Sequence, residues 1–379
     1  MPENKGQLGL VLSGGGARAA YQVGFLKCLS KIRPDLDIPI LTGVSAGAIN
    51  AAFLANHPGP FDRSTADLCG LWYELSVDKV FYADSWWLFK NVINWGFRLV
   101  SGGLHTRTQS RSLLDAAPLR RFLETVLGSR SRRLSGIRKN IEAGRLRSLA
   151  VTATDYGTGQ AVTWVDGHPG RIWERPLRRS ELSRIGIDHI LASAALPLIF
   201  PAVEIENNWY GDGGIRQATP LSPAIYLGAD KILAVSTSYT PTLKEARRAA
   251  CDGYPPPAQI AGMLMSSIFL DALDQDARML HRINRLVANQ SHGPYGDHRQ
   301  VDLFTMRPSR DLGQLAGGFE PNLPPAFRYM VRGLGTRETS SHEWLSMLMF
   351  NPAYTRKLIS LGEADAEKHA NEIGIFLDK

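Results

Sequence analysis

Long apolar runs are missing from this 379-residue chain, and so is a cysteine framework. The opening stretch, MPENKGQLGLVLSGGG, carries a lysine, but its apolar run is about five residues, shorter than a secretory leader core or a membrane span. The expectation is a cytoplasmic protein whose contact with a membrane is at most peripheral. Cys28, Cys69 and Cys251 are far apart and lack C-x-x-C spacing, which argues against a disulfide scaffold and against a zinc site. No acidic stretch has the spacing of an EF-hand loop. Neither a metal nor a cofactor is expected.

What is present is an ordinary globular composition, 44% hydrophobic and 21% charged. The net charge of +7 is concentrated: residues 98–147 hold twelve Lys/Arg against three Asp/Glu, so the rest of the chain is slightly acidic. Such a run reads either as a solvated face or as a contact for anionic lipid. It comes with no zinc-finger spacing and no aromatic RNA-binding motif, so nucleic acid is not an expected partner.

Apolar patterning gives a β-α-β-α opening. LGLVLS (8–13) and IPILTGV (38–44) read as strands, and ARAAYQVGFLKCLSKI (17–32) and AGAINAAFLANH (46–57) as helices stopped by Pro34 and Pro58. That order predicts an α/β fold with a mostly parallel central sheet flanked by helices. Residues 61–147 lack strand patterning and predict a helical insertion. Strands return at 146–155, 161–165, 200–214 and 231–238. After the GYPPPAQ loop (253–259), one long helix is expected through residues 263–287, then a Gly/Pro-rich stretch with the short apolar run VDLFTM, then helix from Tyr354 onward. The division expected is a catalytic domain over 7–240 and a mainly helical extension over 241–379.

Three stretches carry candidate chemistry. SGGGARAA (13–20) contains Gly14-x-Gly16-x-x-Ala19 between a strand and a helix, a formal match to the dinucleotide fingerprint. That reading needs an acidic residue at the end of the second strand, yet Asp35 and Asp37 precede the strand. Glycines before a helix also make a nest of backbone amides for a phosphate or an oxyanion, or simply a tight turn. TGVSAG (42–47) places Ser45 in G-x-S-x-G between a strand and a small-residue helix, where a serine is either a turn residue or a nucleophile on a strained elbow. YGDGG (210–214) ends a strand in Asp-Gly-Gly, an ordinary hairpin signal that also presents a carboxylate. His281, His292, His298, His342 and His369 follow the serine, and no motif marks any of them as its base.

In this order, GGGARAA (14–20), GVSAG (43–47) and DGG (212–214) resemble the patatin-like phospholipase family, three-layer α/β/α lipid acyl hydrolases with a Ser-Asp dyad. ASAALPLIFPAV (192–203) is similar to the run that precedes the aspartate in that family, and LLDAAPLRRFLE (113–124) to its Leu-x-Asp-x-x-Pro-Leu segment. The resemblance spans about residues 7–240; beyond 245 it is only to bacterial members with a helical extension. It implies Ser45 as nucleophile, Asp212 as base, and Gly14, Gly15 and Gly16 with Arg18 as oxyanion hole. It also implies Gly43 and Gly47 as the glycines of the elbow, with Gly213 and Gly214 shaping the acid loop. The family often has glycine where Ala19 stands and a second proline where Ala202 stands; neither departure touches a reacting group.

The implied function is hydrolysis of lipid carboxylic esters of phospholipase A or lysophospholipase type, with lipid as the partner. A lipid-binding or regulatory protein of the same fold that has lost activity is the alternative; a nucleotide-dependent oxidoreductase lacks its ribose acid. Residues 71–100 hold nine aromatics, with Trp86, Trp87, Phe89, Trp95 and Phe97 bunched beside the basic run. They read either as packing for the insertion or as an interfacial or acyl-chain surface, and Lys90, Asn91, Asn94 and Arg98 exclude a membrane span.

Overall fold

The computed structural model of the chain describes residues 7–82, 112–128, 133–251, 253–288, 299–336 and 342–379. Alternation along the first strand, β1 (Leu8–Leu12), sets the architecture. Leu8, Leu10 and Leu12 enter one hydrophobic core and Val11 a second, as the two-residue period of a strand requires. A strand buried on both faces belongs in a sheet covered by helices on both sides. The first core is closed by α1 (Ala20–Ile32), α2 (Ala46–Asn56), α3 (Phe61–Tyr73) and the C-terminal helices Glu343–Leu348 and Pro352–Lys368. Helices Ser222–Leu227 and Ala272–Ala288 close the second.

The other strands in chain order are β2 (Ile40–Val44), β3 (Ser148–Asp155), β4 (Ala161–Gly167), β5 (Glu174–Arg175), β6 (Arg178–Leu182), β7 (Val203–Ile205), β8 (Asn208–Asp212), β9 (Lys231–Val235) and β10 (Asp302–Met306). The sheet runs β10–β9–β1–β2–β3–β4–β6–β5. Its first five strands are mutually parallel, and β4 reverses direction against β3. This is the mostly parallel α/β sheet that the β-α-β-α opening predicts. The VDLFTM run supplies β10, so the sheet takes in a strand from beyond residue 240.

One detail of register places the site. β2 pairs with β3 only as far as Val44 opposite Thr152, and one residue on, Ala153 pairs with Asp212 of β8. Since β4 already fills the other edge of β3, β8 takes over the row that β2 vacates. The end of β2, and with it Ser45, is thereby set beside Asp212. The hairpin joining β7 to β8 turns at Glu206 and Asn207, both at positive φ, so Asp212-Gly213 is not a hairpin turn.

The single helix expected over 263–287 is two, Pro257–Phe269 and Ala272–Ala288. Phe269 and Leu270 enter the first core and Leu273 the second, and a straight helix cannot deliver adjacent turns to opposite faces of a sheet. Within 61–147 the described residues form helices and one isolated bridge, Tyr82 to Asp115. The aromatic cluster at Trp86, Trp87, Phe89, Trp95 and Phe97 lies outside the described residues, as do Lys90, Asn91, Asn94 and Arg98. Among the described residues no helix is long and apolar enough to cross a membrane.

Candidate active site

Ser45 stands between β2 and α2 at φ 54° and ψ −133°. A non-glycine residue in left-handed backbone costs on the order of 1–3 kcal/mol and persists only where its surroundings over-determine it. Here they do. A Cβ on Gly47 would lie 2.3 Å from the Leu12 carbonyl oxygen, and one on Gly43 would lie 2.5 Å from that of Gly47, so the turn closes only with glycine on both sides. The Ser45 N–H donates to Ser193 Oγ at 3.0 Å, and Ser193 donates on to the Thr152 carbonyl at 2.6 Å.

Asp212 is wholly buried. Its N–H donates to the Ala195 carbonyl at 2.9 Å, and its own carbonyl accepts from Thr154 Oγ1 at 2.8 Å. On the carboxyl group, Oδ1 accepts from the Gly214 N–H at 2.9 Å, while Oδ2 has no hydrogen-bond partner among the described residues. Burial raises the carboxyl pKa to about 7, and the nearby Ser45 hydroxyl and the Gly214 amide oppose that rise. The arrangement is a buried carboxyl group of raised pKa with one oxygen unpartnered among the described residues. Gly213 and Gly214 leave no room for a Cβ, which would meet the Thr152 carbonyl and the Phe269 ring respectively.

The glycine loop has its carbonyls tied down. Gln22 Nε2 donates to the Ser13 carbonyl at 2.8 Å, Thr237 Oγ1 to that of Gly14 at 2.6 Å, and the Arg18 N–H to that of Gly15 at 3.2 Å. Gly15 and Gly16 both have positive φ and lead into a 3-10 turn, Gly16–Ala19, whose first amides have no acceptor within the turn. The turn's first amides thus lack acceptors within it, a condition an anion nest requires. Gly14 abuts Ser45: a Cβ there would lie 3.0 Å from Ser45 Cβ.

Arg18 is placed otherwise than its neighbours. Its buried guanidinium donates from Nε to Ser346 Oγ at 2.6 Å and pairs with Glu343, which also accepts from Ser266 Oγ at 3.0 Å. The structure brings Ser45, Asp212 and Gly14–Gly16 together and commits Arg18 to the C-terminal helix. No histidine among the described residues hydrogen-bonds to Ser45 or Asp212. His292 and His298 lie outside the described residues.

A narrow cavity of about 30 Å³ opens on Ser45 and Gly16, walled by Trp72, Leu75, Phe200 and Phe350 among other apolar side chains. Water is scarce in such a space, and every charge inside it interacts more strongly than in solvent. Two further contributors are faint or silent in the sequence. Ser193 and Ala195 belong to the ASAALPLIFPAV run, which thus holds the backbone of both Ser45 and Asp212, and whose family resemblance was its only signal. The segment 343–350 has no local motif at all, yet Phe350 walls the cavity and the Met347 carbonyl fills the space where Gly16 would carry a Cβ.

Residues 10–225 match the sequence profile of the family described as patatin-like phospholipase. None of the curated proteins matches the chain. Among solved structures, the chain is similar to human GIVD cytosolic phospholipase A2 in complex with methyl gamma-linolenyl fluorophosphonate, at 15% identity and a TM-score of 0.45, covering 98% of this chain and 59% of that one. It is also similar to VipD from Legionella pneumophila, at 12% identity and a TM-score of 0.39, covering 97% of this chain and 67% of that one. The type III effector ExoU of Pseudomonas aeruginosa is another, at 14% identity and a TM-score of 0.39, with coverage of 97% and 53%. The chain spans about three-fifths of the length of the human phospholipase.

Proposed function

Because the chain belongs to the patatin-like phospholipase family, we propose that it is a serine acyl hydrolase that cleaves lipid carboxylic esters, of phospholipase A or lysophospholipase type. One observation carries this reading: β8 continues the row of β2, so that a buried carboxyl with an unpartnered oxygen stands beside a serine held on a strained elbow. Ser45 Oγ attacks the ester carbonyl as Asp212 takes its proton, and the carbonyl oxygen moves onto the amide edge of Gly14–Gly16. Collapse expels the alcohol, which recovers the proton from Asp212 and leaves an acyl-serine. Water then attacks the acyl group with Asp212 again as base, releasing the fatty acid and restoring Ser45. A carboxyl group of ordinary pKa is a weak base for a hydroxyl. Burial narrows that gap, and oxyanion donors, each worth about 10² to 10³ in rate in other enzymes, supply much of the rest.

The proposed site of action is an anionic membrane surface reached through the basic residues of 98–147. Arg120 and Arg138 in that run already pair with Asp188 and Glu142, which leaves fewer charges for lipid than the sequence count suggests.

The decisive experiment is labelling by a fluorophosphonate probe, followed by a lipid panel read by mass spectrometry. Wild-type protein is expected to be labelled and to release fatty acid, and Ser45→Ala to do neither while keeping its circular dichroism spectrum. Equal labelling of Ser45→Ala removes Ser45 as the nucleophile. A folded wild-type protein that is never labelled favours the inactive lipid-binding alternative.

A further inference from the structure

Helix Pro257–Phe269 has no charged residue in its thirteen positions, PAQIAGMLMSSIF. Ala258, Gly262 and Phe269 are buried on one side. On the other, Ile260, Met263, Leu264 and Ile268 form an exposed stripe at helical spacing, with Met263 62% and Leu264 59% exposed. Contiguous apolar surface of this kind marks an interaction site on a folded protein.

What meets the stripe is indicated by its neighbour. Ile268 is also part of the wall of a cavity of about 800 Å³ that Gly214 of the acid loop also lines, a size within the range of small-ligand sites. This cavity shares no lining residue with the one at Ser45. Arg175, Arg178 and Arg216 line it, and no carboxylate does. None of the three forms an ion pair among the described residues. Arg178 is anchored by hydroxyls, those of Thr219 and, at 3.5 Å, Ser222. Asp276, which interacts electrostatically with Arg178 but does not line the cavity, accepts from the Leu221 N–H at 2.8 Å. Three arginines lining a cavity whose wall, among the described residues, holds no carboxylate favour an anion there, and phosphate matches guanidinium hydrogen-bonding geometry. An anion adjoining an exposed apolar stripe is the chemistry of an anionic phospholipid at a bilayer surface.

We propose that helix Pro257–Phe269 and the adjoining arginine-lined cavity form a membrane-docking face, with Ile260, Met263, Leu264 and Ile268 entering the acyl boundary and Arg175, Arg178 and Arg216 holding a headgroup phosphate. This face is separate from the basic run at 98–147. It does not rest on the hydrolytic reading, because docking is measured on a protein that cannot turn over.

The test is co-sedimentation of the Ser45→Ala protein with vesicles of phosphatidylcholine plus phosphatidylglycerol, compared with phosphatidylcholine alone. Binding is expected to favour the anionic vesicles. Met263→Glu with Leu264→Glu is expected to weaken it by about tenfold or more, given the transfer energy of two such side chains. Arg175→Gln with Arg216→Gln is expected to abolish the preference for anionic vesicles and flatten the salt dependence. Both pairs lie on the surface, and unchanged thermal melts check that they fold. Vesicle binding untouched by either pair overturns the proposal. So does calorimetric binding of inorganic phosphate by a protein that ignores vesicles, which makes the cavity a soluble-phosphate site. Conversion of a dimer to a monomer by Met263→Glu/Leu264→Glu, again without vesicle binding, makes the stripe a self-association surface and overturns it equally.

Discussion

Two stretches of the chain meet at Ser45. Residues 10–225 bring Ser45, the Asp212 carboxyl group and the glycine loop, each on a short turn whose glycines are required by backbone approach within a few ångströms. Residues 343–350 bring an ion-pair partner for Arg18, a carbonyl against Gly16 and an aromatic wall for the cavity. In the proposed mechanism the first stretch holds the reacting atoms and the second holds the things that hold them. A turn that must place one atom tolerates few sequences, whereas a packing surface tolerates many. The comparison can be broken from either side, because each stretch predicts a different kind of loss.

The largest expected effect falls on the first stretch. Asp212→Asn keeps the shape and removes the base, and kcat/KM is expected to fall by about 10³-fold, within the range for general-base removal. The wild-type pH profile carries the same assignment. With the carboxyl pKa raised to about 7, activity is expected to climb as pH rises through that value, because only the ionised form accepts the serine proton. Stability runs the opposite way. A carboxyl whose folded pKa lies above its unfolded value binds more protons in the native state, so stability is complete below about pH 4 and is lost as pH rises through about 7, by on the order of 4 kcal/mol. Asp212→Asn is therefore expected to melt higher than wild type at pH 8, with the difference closing towards pH 4. An inactive variant that is also less stable at pH 8 removes the buried-base assignment.

A middle effect separates the two roles open to Arg18. If its guanidinium served the oxyanion directly, Arg18→Gln would cut kcat while Glu343→Gln left it nearly alone. The geometry instead ties Arg18 to Glu343 in a pair whose arginine is only 2% exposed, and removing one partner of such a pair costs about 3–5 kcal/mol. Both single variants are expected to lose stability in urea melts and to lose activity together. The double variant should be no worse than either alone, which makes the coupling about as large as one single loss, about 3–5 kcal/mol. Additive losses, with kcat hit only by Arg18→Gln, return the arginine to the reacting atoms.

Legibility in the sequence follows the same line. The β-α-β-α opening and the strand at 146–155 were readable because strand and helix periods differ, and the parallel sheet followed from their order. Ser45 and Asp212 were readable as types in a family order, but their being neighbours was not. That depends on β8 taking the row left by β2, a register no local pattern encodes. Arg18 was readable as a cation near the loop, while its partner lies 325 residues away. The break near Leu270 was hidden for a related reason: apolar residues at helical spacing do not say which of two cores each one enters.

The smallest effect concerns Phe350, because it asks whether the second stretch shapes the substrate as well as the scaffold. The cavity at Ser45 is too small for an acyl chain as it stands, so a chain enters only as the lining side chains yield. Phe350 comes from outside the family match and faces Leu75, Trp72 and Phe200 across that space. Phe350→Leu keeps the wall apolar and is expected to cost less than about 1.5 kcal/mol in stability, while leaving more room beside the serine. Each further methylene that the enlarged wall buries is worth about 0.8 kcal/mol, roughly fourfold in kcat/KM. The expected result is a shift of the optimum among straight-chain p-nitrophenyl esters by one or two carbons (an order-of-magnitude figure), with acetate turnover nearly unchanged. An unaltered chain-length profile confines residues 343–350 to scaffolding, and a collapse of acetate turnover as well shows that Phe350 supports the serine rather than the chain.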